Sequence, residues 1–394
     1  MQPTERNLAG VLVAASIAST IGGLPFNALP LLLGSLAESF GLQAQAVGLI
    51  GSTCFAGYLV GTLGAPIWMN RLDWRVLTVC AAAGTALAFA ASATVHSVEL
   101  LYAVWAAIGF FASTMTCLGM RILSDLPNKV RAYGVRQGTE LAITASVLFA
   151  LPPLVIAFWK YPGAAFALAV VVTLLGLSAI WVPRHPLIAP AAARARRLSL
   201  GSVLPLAVFF AFLVGNIGLW AFLERLGAAR GIAPAQMGLV FAVLKLLGGV
   251  AAFAVAAVGE RLGERAPYVL VLAGIGTGLA LLGSAAGFVP FALGAWLWEF
   301  SFTCGCVFQT AAIARRDASG RAIVLVPAVF ACSSMLGPGL AGRLILVAKK
   351  VAEKEKITAS GYRLAINCGP DGTQAVPHIH LHLLGGRRLS DALG

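Results

Sequence analysis

Eleven stretches of about twenty residues, each almost free of charge, recur along this chain of 394 residues. As a helix, each is long enough to cross the ~30 Å hydrocarbon core of a bilayer. In lipid the backbone has to satisfy its own hydrogen bonds, so runs of this length specify helices rather than open sheets. The predicted spans are 8–33, 46–69, 76–95, 100–120, 138–159, 163–182, 203–223, 236–258, 267–287, 289–314 and 322–347. Hydrophobic residues make up 59% of the chain and charged residues 11%, against roughly 25% charge in soluble domains. The net charge of +13 would suggest nucleic acid in a soluble protein. Here it sits in short loops between apolar spans, so its partner is the lipid bilayer and no nucleic acid is expected.

Lysine and arginine also set the orientation. Connections leading from an even to an odd span hold fifteen of them, among them Arg71, Arg75, Arg121, Arg131, Arg261 and Arg315, whereas the opposite connections hold Lys160, Arg225 and Arg230. The positive-inside rule then places the N-terminus in the cytoplasm. With no cleavable signal evident, the expected location is a bacterial-type inner membrane, multi-pass. The seven cysteines form no Cys-x-x-Cys pair and read as small buried apolar residues. No metal or cofactor is implied, and the chain is expected to be a monomer.

Glycine spacing suggests how the spans pack. In the run GYLVGTLGAPIWM, Gly57 and Gly61 strip one helix face of side chains, which is how membrane helices approach closely. The loop Asn70-Arg71-Leu72-Asp73-Trp74-Arg75 follows. A related pattern returns as Gly248-Gly249, an apolar run, and then Gly259 to Arg265; Arg71 and Arg261 lie 190 residues apart. This half-length repeat resembles the major facilitator superfamily, whose mark is a Gly-rich second helix followed by D-R-x-G-R-R. Arg71 and Arg75 fit that form, while Asn70 replaces the acid and Asp73 the glycine; in the second copy Glu260, Gly263 and Arg265 are in place. The resemblance implies an all-α polytopic membrane protein of two six-helix-type halves, here with the twelfth helix missing. It divides the chain into a six-span bundle (1–183), a basic linker (184–200), a five-span bundle (201–345) and a short α+β tail (346–394). It also implies secondary transport of a small solute, impaired by loss of the last helix.

A charge inside a span is costly unless it is paired or functional. Lys245 and Glu299 lie near the centres of the eighth and tenth spans, where Glu299 could serve as a proton site with Lys245 beside it or the two could simply orient helices. Arg136 and Glu140, four apart with Gln137 between them, open the predicted fifth span and read as an interfacial pair or as transport residues. Asn27 and Asn216 lie in corresponding spans, which in the resembled family line the cavity, and are candidates for solute contact. Trp105, Trp220, Trp296 and Trp298 could line a cavity, but read first as interfacial aromatics.

From about residue 346 the apolar runs stop. A short amphipathic helix (347–356), a strand (362–367), a turn at Gly369 to Gly372 and a second strand (378–384) are predicted. His378, His380 and His382 alternate along that strand, so their imidazoles share one face; such a row suits zinc, phosphate chemistry or plain exposure. The row also resembles the histidine-triad (HIT) signature, His-φ-His-φ-His-φ-φ. That resemblance implies His380 as nucleophile toward a nucleotide phosphate, His378 and His382 assisting, and Asn367 orienting the triad or binding ribose, with a nucleotide as partner. Thr373 stands where a glycine is usual and Ala375 where a Ser or Thr is usual. Alternatives to transport are therefore a membrane-tethered HIT-type nucleotide hydrolase or transferase, or a gene fusion without function.

Overall fold

The computed structural model describes residues 5–69, 71–95, 97–188, 200–284, 287–317, 319–365 and 382–388. Eleven α-helices run in order: α1 (Glu5–Phe40), α2 (Ala44–Trp68), α3 (Trp74–Thr94), α4 (Val98–Leu123), α5 (Lys129–Leu151), α6 (Ala157–Gly176), α7 (Leu200–Ala229), α8 (Pro234–Val258), α9 (Ala266–Ser284), α10 (Phe288–Arg316) and α11 (Val326–Lys354). Among the described residues nine helical stretches are long and apolar enough to cross a membrane. One of these, Lys129–Trp181, is 53 residues long. It turns back at Lys160 (φ 50°, ψ −149°) and so contains both the fifth and the sixth predicted spans. The eleventh is represented by the shorter apolar helix Ile323–Leu336.

Close helix contacts fall where glycines remove side chains. A Cβ on Gly57 of α2 would lie 1.9 Å from the Ala106 carbonyl oxygen of α4, and one on Gly109 of α4 would lie 2.0 Å from the Cys54 oxygen of α2. Between the halves, Gly134 of α5 meets α8, where an added Cβ would stand 2.8 Å from the Ala252 oxygen.

Loops on the basic side are tied down by hydrogen bonds. Asp73, the residue in place of the motif's glycine, caps α3 by accepting from the Arg75 and Val76 amides at 2.8 and 3.1 Å. The Trp74 indole donates to the Met69 carbonyl (2.7 Å), and Arg75 donates to the Val182 carbonyl. Arg121 pairs with Asp125 at 2.5 Å, lies over the Trp74 ring and packs beneath Gly320 from the other half. Asp125 also accepts from the Leu187 amide at 2.9 Å.

The hydrophobic cores reveal the conformation. On the basic-loop side a single cluster crosses both halves, joining Met69, Trp74 and Leu123 to Val255, Ala311 and Val324. On the opposite side each half has its own cluster, one around Phe89, Trp105 and Leu168 and the other around Leu223, Val240 and Phe291. The bundle is thus sealed on the basic side and parted on the other.

In the tail, β1 (Tyr362–Ala365) and β2 (His382–Gly385) pair antiparallel, with Tyr362 opposite Gly385 and Ala365 opposite His382. The predicted amphipathic helix 347–356 is not separate: it is the last part of α11, because nothing between the apolar run and Lys354 interrupts the helical pattern. Linker residues 189–199, the turn at Gly369 to Gly372, Asn367, His378 and His380 lie outside the described residues.

Candidate functional site

A cavity of about 380 Å³ lies between the halves. Asn27, Arg136, Gln137 and Glu140 reach it from α1 and α5, and Asn216, Trp220, Lys245, Trp298 and Glu299 from α7, α8 and α10. All six transport residues named from the sequence therefore line one cavity. The structure brings them together from five helices.

In the N-terminal half the polar groups satisfy one another. Arg136 Nη2 meets Glu140 Oε2 at 2.5 Å, its Nε donates to Ser19 Oγ (2.7 Å), and Nη1 donates to Gln137 Oε1 (2.7 Å). Asn27 Nδ2 donates to the other Glu140 oxygen at 3.3 Å and to the Gly23 carbonyl at 3.0 Å. Each Glu140 oxygen thus has a donor, as a carboxylate at membrane depth requires. Both side chains of the pair are largely buried by protein. α5 begins at Lys129 rather than at the predicted 138, so Arg136 stands about two turns inside the helix. The first turns of α5 face protein instead of lipid, with Val130, Ala132 and Tyr133 buried, and apolar content alone did not mark them as part of the span.

The C-terminal half is arranged differently. Lys245 Nζ lies 4.1 Å from the centre of the Trp220 ring, a cation–π contact. Among the described residues no carboxylate comes within 4.0 Å of it, so the direct Lys245–Glu299 pair envisaged from the sequence does not form. Glu299 is buried and sits against Gly248, where an added Cβ would fall 3.1 Å from Glu299 Oε1 and 3.4 Å from Thr303 Oγ1. Gly23 does the same for Glu140, at 2.5 Å from Oε1. Each half therefore places a buried carboxylate under a glycine of a neighbouring helix. Nothing in the sequence singles out Gly23 or Gly248 for this, since the signal is a contact between helices.

Two of the four tryptophans take the cavity-lining reading rather than the interfacial one. Trp220 and Trp298 line the cavity rather than an interface; Trp298 is fully buried and its indole donates to Asn216 Oδ1 at 2.8 Å. Trp105 is buried in the N-terminal core, and Trp296 donates to the Val240 carbonyl at 3.1 Å. Asn216 spends its amide on the Phe212 carbonyl (2.7 Å). Sequence reasoning missed Tyr58, Phe26 and Phe302, which supply apolar wall. Of the tail's four candidate residues only His382 is described, and only as the first residue of β2.

Comparison with known proteins divides the chain in two. The model of the Major Facilitator Superfamily matches residues 11–314, and that of the HIT domain matches residues 315–389. The second match starts well before the 346 expected from the sequence and takes in all of α11. Two solved structures share the fold. The human organic anion transporter MFSD10 (TETRAN) gives a TM-score of 0.63 at 19% identity, covering 89% of this chain and 94% of that one. The proton:xylose symporter XylE bound to 6-bromo-6-deoxy-D-glucose gives 0.68 at 12% identity, covering 88% and 91%. Over 70 residues the chain is 49% identical to the purine nucleoside phosphoramidase of Escherichia coli (strain K12), which is 18% of this chain and 58% of that relative. The chain therefore spans less than two thirds of that relative's length.

Proposed function

This chain belongs to the Major Facilitator Superfamily, and as a multi-pass secondary transporter of that family, we propose, it moves a small organic anion together with a proton. One observation carries the reading. Lys245 stands in the cavity against the face of Trp220, with no carboxylate within 4.0 Å among the described residues, while Arg136 is already neutralised by Glu140. An ammonium held this way attracts an anionic solute, and the aromatic wall of Trp220, Trp298 and Phe302 suits its apolar body. Glu299, in the same cavity, supplies the coupling. When ionised it balances Lys245 across the cavity; when protonated it leaves Lys245 uncompensated and the site ready for an anion. Proton and anion then enter together, and the carrier changes conformation around a site near the midplane. The anion transporter and the proton symporter whose folds it shares are consistent with this.

Purified protein in proteoliposomes tests it, with a panel of radiolabelled monocarboxylates as probes. A pH gradient is expected to drive accumulation of at least one of them, and Glu299→Gln to abolish gradient-driven uptake while leaving exchange of internal for external solute. Gradient-driven uptake that survives in Glu299→Gln sinks the coupling role. Uptake that is unchanged in Lys245→Gln sinks the anion assignment.

A second reading rests on the tail's identity to the phosphoramidase. We infer that His380, flanked by His378 and His382 and oriented by Asn367, handles a nucleotide phosphate. Hydrolysis of adenosine 5′-phosphoramidate by purified protein, abolished in His380→Ala, would support it, and equal rates in both proteins would remove it.

A further inference from the structure

A second cavity, of about 700 Å³, opens at the basic-loop end of the seam between α5 and α8 and lies apart from the transport site. Arg131 reaches it from the first turn of α5 and Arg261 from just beyond α8, so each half contributes one guanidinium. Both arginines are exposed, and among the described residues neither has a carboxylate within 4.0 Å. Glu260, the one acid on the rim, is drawn toward Arg315 at 3.6 Å. Asn128 spends its side-chain oxygen on the Arg131 amide (2.8 Å), which turns its Nδ2 toward Gly259, where an added Cβ would lie 3.0 Å away. The site thus offers two fork-shaped cations and an amide donor, a set that fits phosphate oxygens. Its walls are apolar: Val135, Ala257 and Val258. Beyond the cavity the Phe253 ring of α8 lies over Gly138 of α5, where an added Cβ would stand 2.7 Å from it, and Phe253 and Val250 leave an exposed apolar face on α8.

A soluble anion has no use for apolar walls and an exposed apolar helix face beside the two guanidiniums, whereas a phospholipid needs both parts. We propose that this cavity holds the phosphodiester headgroup of an anionic lipid, whose acyl chain lies along the exposed Phe253 and Val250 of α8 and which clamps the two halves together on the basic side. Basic pockets between membrane helices are suited to such headgroups. The two arginines share a cavity here because Gly134 lets α5 approach Ala252 and Ala256 of α8 closely. Parting of that seam would separate them, so a bound lipid favours the conformation sealed on the basic side.

The test uses full-length protein in phosphatidylcholine nanodiscs, with or without phosphatidylglycerol, read by native mass spectrometry for retained lipid and by thermal unfolding. Phosphatidylglycerol should be retained and raise Tm. The double variant Arg131→Gln/Arg261→Gln should bind it about thirtyfold more weakly, the Lys/Lys double variant should keep most of the binding, and Arg71→Gln, outside this cavity, should keep all of it. Equal retention by the Gln/Gln variant overturns the proposal. So does an equal loss in Arg71→Gln, which would mean general surface charge, or an equal Tm rise from inorganic phosphate in phosphatidylcholine alone, which would mean a soluble anion.

Discussion

The crossing of α2 and α4 can be tested to within about an ångström. Gly57 and Gly109 face each other's helices so closely that a methyl on either would lie 1.9 or 2.0 Å from a backbone carbonyl oxygen. Backbone cannot rotate aside as a side chain can, so Gly57→Ala has to push the helices apart by roughly 1.4 Å to reach ordinary van der Waals contact. Overpacking of this kind costs about 1–3 kcal/mol. Gly109→Ala should cost a similar amount. The two together should cost clearly less than their sum, because the separation forced by the first accommodates the second. Gly48, also on α2, has nothing within 4 Å of an added Cβ, so Gly48→Ala should be neutral or stabilise by about 0.5–1 kcal/mol. Denaturant titration of purified protein in one detergent, followed by tryptophan fluorescence, gives the four values needed for the cycle. If Gly57→Ala behaves like Gly48→Ala, or if the two costs simply add, the close crossing is wrong.

Three further outcomes follow from the same reasoning. Arg121→Gln leaves Asp125 buried without its guanidinium, and Asp125→Asn leaves Arg121 buried without its carboxylate, so each should cost roughly 3–5 kcal/mol and the double variant clearly less than their sum; unfolding curves in which either single variant is neutral, or in which the costs add, refute the assignment. Trp298→Phe keeps the cavity wall but loses the hydrogen bond to Asn216, so stability should fall by about 1 kcal/mol and any anion transport should weaken without losing its proton dependence. The Val76 amide, joined by that of Arg75, holds the Asp73 carboxyl below the usual 3.8. Its cap is therefore fully present above pH 3.8 and lost as the pH falls through the lower folded value; hydrogen exchange of the Arg75 and Val76 amides, measured down a pH series and corrected for intrinsic rates, should rise only in that acid range, and an earlier rise would refute the cap.

Much of this architecture was legible because lipid imposes a simple rule on sequence. Long uncharged runs marked the spans, and Gly57 and Gly61 marked a close face, which the structure assigns to α4. The start of α5 was not legible by the same rule. Lys129, Arg131 and Arg136 lower its apolar content, yet Tyr133 and Val130 are buried against protein, so hydropathy started the helix nine residues too late. The six polar candidates could be picked one at a time from the cost of burying them, but their meeting in one cavity is a property of five helices. Trp220 and Trp298 were ambiguous for a related reason: in sequence an aromatic looks the same whether it faces headgroups or a solute. The end of α11 was misread because an apolar helix and an amphipathic one can share a single unbroken period.

That unbroken helix has a mechanical consequence. At about 1.5 Å per residue the 29 residues of α11 extend roughly 43 Å, longer than the ~30 Å apolar core of a bilayer. It starts in the seal on the basic side, beside Val324, and ends with the β1–β2 hairpin resting on it through Ile357 and Gly385. Its middle carries Pro338 between Gly337 and Gly339, and a proline there withholds one backbone donor and favours a bend. A change of angle at Val326 or at that proline therefore displaces the β1–β2 pair more than the start of the helix, in proportion to distance along α11.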